Sequence, residues 1–181
     1  MEPTSNASPW VMRFAPLIAP GAQVLDVACG SGRHLRALAG RGLRLHGVDR
    51  DGDALQSLHD IAELRVADLE SGPWPYGDQR FDALIVTRYL WRPLLPTLLD
   101  ALAPGGLLIY ETFALGQHTL GRPRRAEYLL QPGELLDWVH GRLRVIAYED
   151  GFIEQPQPAF VQHLCAAAPI VGGPAYPKYN L

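Results

Sequence analysis

The stretch Leu25-Asp26-Val27-Ala28-Cys29-Gly30-Ser31-Gly32-Arg33 carries an acid, two glycines and the start of a helix-like segment. Gly30 and Gly32 lack a Cβ, so the chain can turn tightly there, and the N–H groups opening the next helix stay free for a nucleotide-type ligand. Asp49 closes the following apolar run, roughly 20 residues on, the distance at which a carboxylate meets ribose hydroxyls. Asp68, in Ala67-Asp68-Leu69, ends a third run. Each feature alone has a plainer reading: a strand-to-helix turn, a helix cap, a turn residue. The dinucleotide fingerprint G-x-G-x-x-G fails, because Leu35 stands at the third glycine and Ala28 replaces any earlier one. A Walker loop fails for want of its lysine.

Short apolar runs alternating with helix-like stretches must position these residues, and that rhythm signals βαβ units around a parallel sheet. Ala22–Ala28, Leu43–Val48, Leu64–Ala67, Phe81–Thr87 and Gly106–Thr112 read as five strands. Arg33–Arg41, Asp51–Ile61 (with Asp51 as N-cap) and Pro93–Leu102 read as the intervening helices, and Pro104-Gly105-Gly106 as a break. After a helix at Gly133–His140, Arg142–Glu149 and Ala159–Ala167 read as an antiparallel hairpin. The expected fold is α/β: a Rossmann-like, mostly parallel sheet of about seven strands with a C-terminal antiparallel hairpin and helices on both faces. Residues 1–181 are expected to form a single domain. Within it, 1–20 make a lead-in helix bearing Trp10, Phe14 and Leu17, and 21–112 the cofactor-binding half. Residues 113–131 make an acceptor-side lid, 132–168 a helix plus hairpin, and 169–181 a Pro/Gly-rich tail.

At 181 residues, 48% hydrophobic and 19% charged with net charge −3, the chain has the composition of a globular domain rather than a disordered or broadly basic one. No apolar run reaches the roughly 18 residues a membrane span needs. The polar, acidic start is unlike a secretory signal. Cys29 and Cys165 cannot make a disulfide framework or a structural zinc site. The expectation is a cytoplasmic protein, monomer or homodimer, without membrane or nucleic-acid partners and without a metal. Lys178 is the single lysine, in the tail, which leaves little room for lysine-based chemistry.

The loop D-x-A-x-G-x-G resembles that of class I S-adenosylmethionine-dependent methyltransferases, with Asp49 and Asp68 at matching strand ends. The resemblance runs over roughly Gly21–Ala168. Thr87-Arg88-Tyr89-Leu90-Trp91-Arg92-Pro93-Leu94-Leu95, Ile109-Tyr110-Glu111-Thr112-Phe113-Ala114, Gly121-Arg122-Pro123 and Leu129-Leu130-Gln131-Pro132-Gly133-Glu134 resemble segments of small bacterial methyltransferases similar to the tellurite-resistance (TehB-like) group. Arg88, Trp91 and Gln117-His118 depart from that pattern. The resemblance implies S-adenosylmethionine as cofactor, S-adenosylhomocysteine as product, and a small-molecule methyl acceptor. The loop Ala28, Cys29, Gly30 and Gly32 would face the methionine part, Asp49 the ribose, and Asp68 with Leu69 the adenine. Arg33 would pair with the methionine carboxylate or stay solvated. Asp26, Arg50 and Thr87 complete the expected cofactor set. An RNA or protein methyltransferase and a non-catalytic cofactor-binding module are the alternatives.

Open α/β sheets bind ligands beyond the carboxyl ends of their strands, which makes Tyr89, Trp91, Arg92, Glu111, Thr112, His118 and Arg122 the acceptor-side candidates. Glu111 is a general base or amine anchor, or else a carboxylate paired with Arg92 or Arg88. His118 is a base or a surface-loop histidine. Tyr89 completes this catalytic set, or with Trp91 it walls the pocket and screens water, or the two simply pack under the cover loop. Arg92, Thr112 and Arg122 join Trp91 on the substrate side, and Arg122, Arg124 and Arg125 either hold an anionic acceptor or face solvent. Thr87-Arg88-Tyr89-Leu90 lacks the Asn/Asp-Pro-Pro-aromatic box of many amide- and amino-nitrogen methyltransferases. Cys29 lies where thiol pKa values can fall, yet a structural role suits it.

Overall fold

The computed structural model describes residues 7–170, 172, 178 and 179; the first six positions of the lead-in segment and most of the tail lie outside the described residues. Seven strands form one sheet: β1 Gln23–Val27, β2 Arg44–Asp49, β3 Glu63–Val66, β4 Phe81–Thr87, β5 Leu102–Phe113, β6 Arg144–Ile153 and β7 Ala159–Ala167. Their order is β3-β2-β1-β4-β5-β7-β6, parallel through β5, with β7 antiparallel to both its neighbours. The mixed sheet and terminal hairpin are as the sequence implies.

Side-chain alternation sorts the apolar residues onto two faces. Leu84, Val86, Leu108 and Tyr110 point to one core, where Leu98 of α4 (Leu95–Asp100) and Leu135 and Val139 of α6 (Glu134–Val139) cover them. Ala83, Ile85, Leu107 and Ile109 point to the other. That face is covered by α1 (Pro9–Phe14) through Trp10, Val11 and Phe14, by α2 (Arg33–Leu38) through Leu35 and Leu38, and by α3 (Gly52–Leu55) through Leu55. The remaining helix, α5 (Gln117–Leu120), is a short turn within the expected lid.

Asp51 caps α3 by accepting from the N–H groups of Asp53 and Ala54. Two expectations need correction. The helix expected over Asp51–Ile61 closes as Gly52–Leu55 and a 3₁₀ turn, Gln56–Leu58. The break expected at Pro104-Gly105-Gly106 lies inside β5: the ladder passes from Phe81↔Leu102 to Ala83↔Leu107, and Gly105, at φ 77°, absorbs the extra residues as an irregularity in the strand.

Candidate functional site

β1 pairs with β2 on one side and β4 on the other, so the chain reverses its direction of winding there. Such a switch point opens a crevice at the carboxyl ends of the strands. Both strands leave the sheet through left-handed backbone. Ala28 follows β1 at φ 53° and Arg88 follows β4 at φ 54°, the two non-glycine residues with positive φ among the described residues. Residues held in such sparsely populated conformations cluster at ligand sites.

The loop after β1 takes its shape from Gly30 (φ 54°) and Gly32 (φ 73°). A Cβ on Gly32 would overlap Leu58, whereas one on Gly30 would meet no atom within 4 Å. Gly32 is thus needed for packing, and Gly30 leaves a concave backbone surface open. Asp49 holds that surface: its Oδ2 accepts from Gly30 N–H at 2.7 Å and its Oδ1 from Asp51 N–H at 3.0 Å. Asp49 lines a cavity of about 260 Å³ with Ala28, Arg50, Ala67, Asp68, Leu69, Glu70 and Tyr89. Asp68 sits exposed at its rim, accepting from Glu70 N–H and Ser71 Oγ, and these hydrogen bonds hold its carboxyl below the usual range. The Tyr89 hydroxyl is buried and makes no hydrogen bond.

Asp26 and Cys29 lie beneath the loop. Asp26 is 1% exposed, and burial raises its pKa against the opposing pull of His34, whose Nδ1 lies 3.5 Å away. His34 Nε2 accepts from Ser8 N–H, so its proton sits on Nδ1, facing Asp26. Burial, reinforced by Asp26 and Asp49, drives the Cys29 thiol upward, the opposite of an activated thiolate.

A second cavity, of about 420 Å³, opens on the other side of the loop. Arg33, Arg88, Glu111, Thr112, Arg122, Glu149 and His163 line it, with Ser8 and Trp10 of the α1 segment. Arg33 crosses to Thr87, donating to its Oγ1 at 3.2 Å. Glu111 pairs with neither Arg92 nor Arg88. Its Oε2 accepts from Ser8 Oγ at 2.5 Å and stands 3.3 Å from His163 Nε2. Arg92 instead forms a two-pronged bridge to Glu134, at 2.6 and 2.9 Å, and donates to the carbonyls of Glu127 and Leu129. A third cleft, lined by Glu70 and Tyr89 of the first cavity and Arg88, Thr112 and Arg122 of the second, joins the two. Pro123, Arg124, Arg125 and Tyr128 complete it.

The structure therefore gathers Ala28, Asp49, Arg50, Asp68, Leu69 and Tyr89 at one end of a trough, and Arg33, Glu111, Thr112 and Arg122 at the other. Trp91 packs against the core, and His118 lies exposed on α5; neither lines a described cavity. Ser8, Glu149 and His163 escape sequence reasoning. The signal for His163 is the polar pair Gln162-His163 in the otherwise apolar strand Ala159–Ala167, where eight of the nine residues are buried.

Residues 24–106 match the family described as a methyltransferase domain. No curated protein matches the chain. Among solved structures, TehB from Haemophilus influenzae superposes with a TM-score of 0.74 at 16% identity, covering 91% of this chain and 63% of that one. The chain thus spans less than two thirds of the length of that relative. An S-adenosylmethionine-dependent methyltransferase from Methanosarcina mazei gives 0.69 at 17% identity, covering 91% and 99% of the two chains. A TehB-like S-adenosylmethionine-dependent methyltransferase from Corynebacterium glutamicum gives 0.64 at 20%, covering 90% and 89%. The fold of this chain is the Rossmann-like class I methyltransferase fold that it shares with TehB, with a methyltransferase domain match over residues 24–106.

Proposed function

We propose that this chain is an S-adenosylmethionine-dependent methyltransferase acting on a small, anionic acceptor in the cytoplasm. The observation that carries the reading is the convergence of Asp49, Asp68 and the Ala28–Gly32 loop on one cavity at the switch point of the sheet. The cavity suits the cofactor. Gly30 leaves its backbone open where a side chain would intrude, and the buried Tyr89 hydroxyl lacks a partner that a ligand can supply.

In this reading Asp49 holds the ribose hydroxyls, Asp68 and Leu69 the adenine, and the glycine loop with Arg33 the methionine end. The bound cofactor supplies an electrophilic sulfonium methyl group. The protein's part is to align the acceptor with it and keep water out. Residues 113–131 serve as the acceptor-side lid. The lid is pinned at its base by Leu115 N–H to Leu130 O and Leu130 N–H to Phe113 O, and Arg92, itself bridged to Glu134, holds it by donating to the carbonyls of Glu127 and Leu129. Arg88, Arg122, Arg124 and Arg125 line the joining cleft and suit an acceptor bearing a carboxylate or similar anion. No helix among the described residues is long and apolar enough to cross a membrane.

The test is calorimetric titration of adenosylmethionine and adenosylhomocysteine into wild type and Asp49→Ala. Binding weakened by ~1–3 kcal/mol in the variant, the scale of a lost buried polar contact, is the expected result. No binding by wild type overturns the reading.

A further inference from the structure

Glu111, His163 and Glu149 stand in one row across three strands: Glu111 of β5 is the register partner of His163 of β7, which is the partner of Glu149 of β6. Register partners project from the same face within contact distance. His163 Nε2 accordingly lies 3.3 Å from Glu111 Oε2, and Nδ1 lies 3.1 Å from Glu149 Oε2. The imidazole stacks on Trp10 at 4.9 Å, and the Trp10 indole N–H is itself held by Leu164 O, so the ring plane is fixed. Two members of the row are shielded and one is open: the side chains of Glu111 and His163 are 14% and 7% exposed, that of Glu149 53%. All three line the 420 Å³ cavity.

Burying an imidazole between two carboxylates costs solvation that an aliphatic residue in the same apolar strand would not. Such an arrangement belongs to a site that handles protons. The Nε2 of His163 is buried and makes no hydrogen bond, although a carboxylate oxygen faces it. Two lone pairs facing each other repel unless a proton lies on one of them, so a proton between these two atoms is stabilised. The row is not arranged as a metal site: among the described residues no group of three or more His, Cys, Asp or Glu side chains is placed to hold a metal ion.

We propose that Glu111, His163 and Glu149 form a proton relay from the cavity to solvent. The proposal rests on the methyl-transfer reading and deepens it by naming the acceptor class: a nucleophile that carries a proton on its reacting atom, such as a thiol, hydroxyl or amine. The acceptor's lone pair forms the new bond to the methyl carbon. The carbon–sulfur bond breaks with its electron pair remaining on sulfur, and the acceptor's proton goes to Glu111. His163 takes that proton at Nε2 and releases another from Nδ1 to Glu149, which gives it to water; between turnovers the Nε2 proton is lost to solvent and Nδ1 regains one through Glu149, which restores the starting tautomer. Glu111 is the group that meets the acceptor; His163 and Glu149 act through it. The charged and titratable groups facing the row are Arg13 of α1, which pairs with Glu149 at 3.4 Å, Arg33 of α2, Arg88 after β4, and Arg122 of the lid.

The test is a pH titration of the histidine side-chain nitrogens by NMR in the full chain, for wild type, Glu111→Gln and Glu149→Gln. The Nε2 signal of His163 is expected to change in Glu111→Gln and the Nδ1 signal in Glu149→Gln. Identical His163 curves in all three proteins overturn the relay. This readout needs no cofactor, so failure of the relay is distinct from failure of adenosylmethionine to bind, which calorimetry reports. If Glu111→Gln does not fold, Ser8→Ala perturbs the same Oε2 and serves in its place. With mercaptoacetate as a proton-bearing acceptor, Glu111→Gln and His163→Asn are expected to lower methyl transfer about 10²-fold, the scale of a general base. With dimethyl sulfide, which has no proton to lose, the same substitutions are expected to lower the rate at least tenfold less. Equal losses with the two acceptors would mark a merely structural role and overturn the relay.

Discussion

Around Asp49 the ligand-facing surface is largely backbone: the left-handed turns at Ala28, Gly30 and Gly32, held by one carboxylate that accepts from Gly30 N–H. Around Glu111 it is side chains, brought by α1, α2, the turn after β4, the lid and all three of the last strands. A backbone cradle is specified locally by a few residues whose conformational demands show in the sequence. A side-chain cavity is specified by sheet register and by distant segments meeting. The first kind suits a cofactor shared by many proteins, and the second suits an acceptor that differs between them.

The largest effect that separates the two regions is expected within the cradle itself. Gly32→Ala forces a left-handed alanine and an overlap with buried Leu58, so urea unfolding should show a loss of roughly 2–4 kcal/mol. Gly30→Ala meets open space and should lose only about 1–2 kcal/mol of stability, from its backbone conformation, while on the proposed reading its methyl group takes room the cofactor needs. Calorimetry of adenosylhomocysteine should therefore fail for Gly30→Ala in a protein that remains folded. On the other side, Arg92→Ala removes the bridge to Glu134 and two carbonyl contacts. The Arg92 side chain is 36% exposed, so screening limits the loss to about 1 kcal/mol. Limited proteolysis should then cut first within residues 126–134, leaving the Asp49 cavity able to bind.

The smallest effects are electrostatic and of opposite sign. Folding lowers the pKa of Asp68 through its hydrogen bonds, so its contribution is full above the ordinary carboxylate value, ~3.9, and is lost as pH falls through the lowered one. Burial raises Asp26, so the folded state gains as pH falls through that raised value. Urea midpoints across the acidic range should show a shallower acid-side loss for Asp68→Asn and a steeper one for Asp26→Asn.

These differences match what could be read in advance. Alternating apolar runs and Pro/Gly punctuation are local signals, and they convey the strands, the parallel winding and the terminal hairpin. The glycine loop and the acids at successive strand ends are equally local. The pairing of Glu111 with Ser8 and His163 is not, because it depends on a ladder register and on a helix start 103 residues away. Arg92 looked like a ligand for substrate because it follows a strand end; its partner Glu134 lies 42 residues on and is visible only once the lid is folded. One short element also misled: with only four residues in α3, periodicity cannot tell a longer helix from a 3₁₀ turn that continues it.

Ser8 accepts from the N–H groups of Trp10 and Val11 while its own proton goes to Glu111. A hydroxyl that donates to a carboxylate is a better acceptor in turn, so the bonds cooperate. The first amides of α1 thus report on the charge of a side chain 103 residues away. Their exchange with solvent deuterium is expected to be slower while Glu111 is ionised than when it is neutral. The leading segment is consequently part of the cavity's electrical wiring as well as its wall, and trimming it would retune the site even where the sheet stays intact.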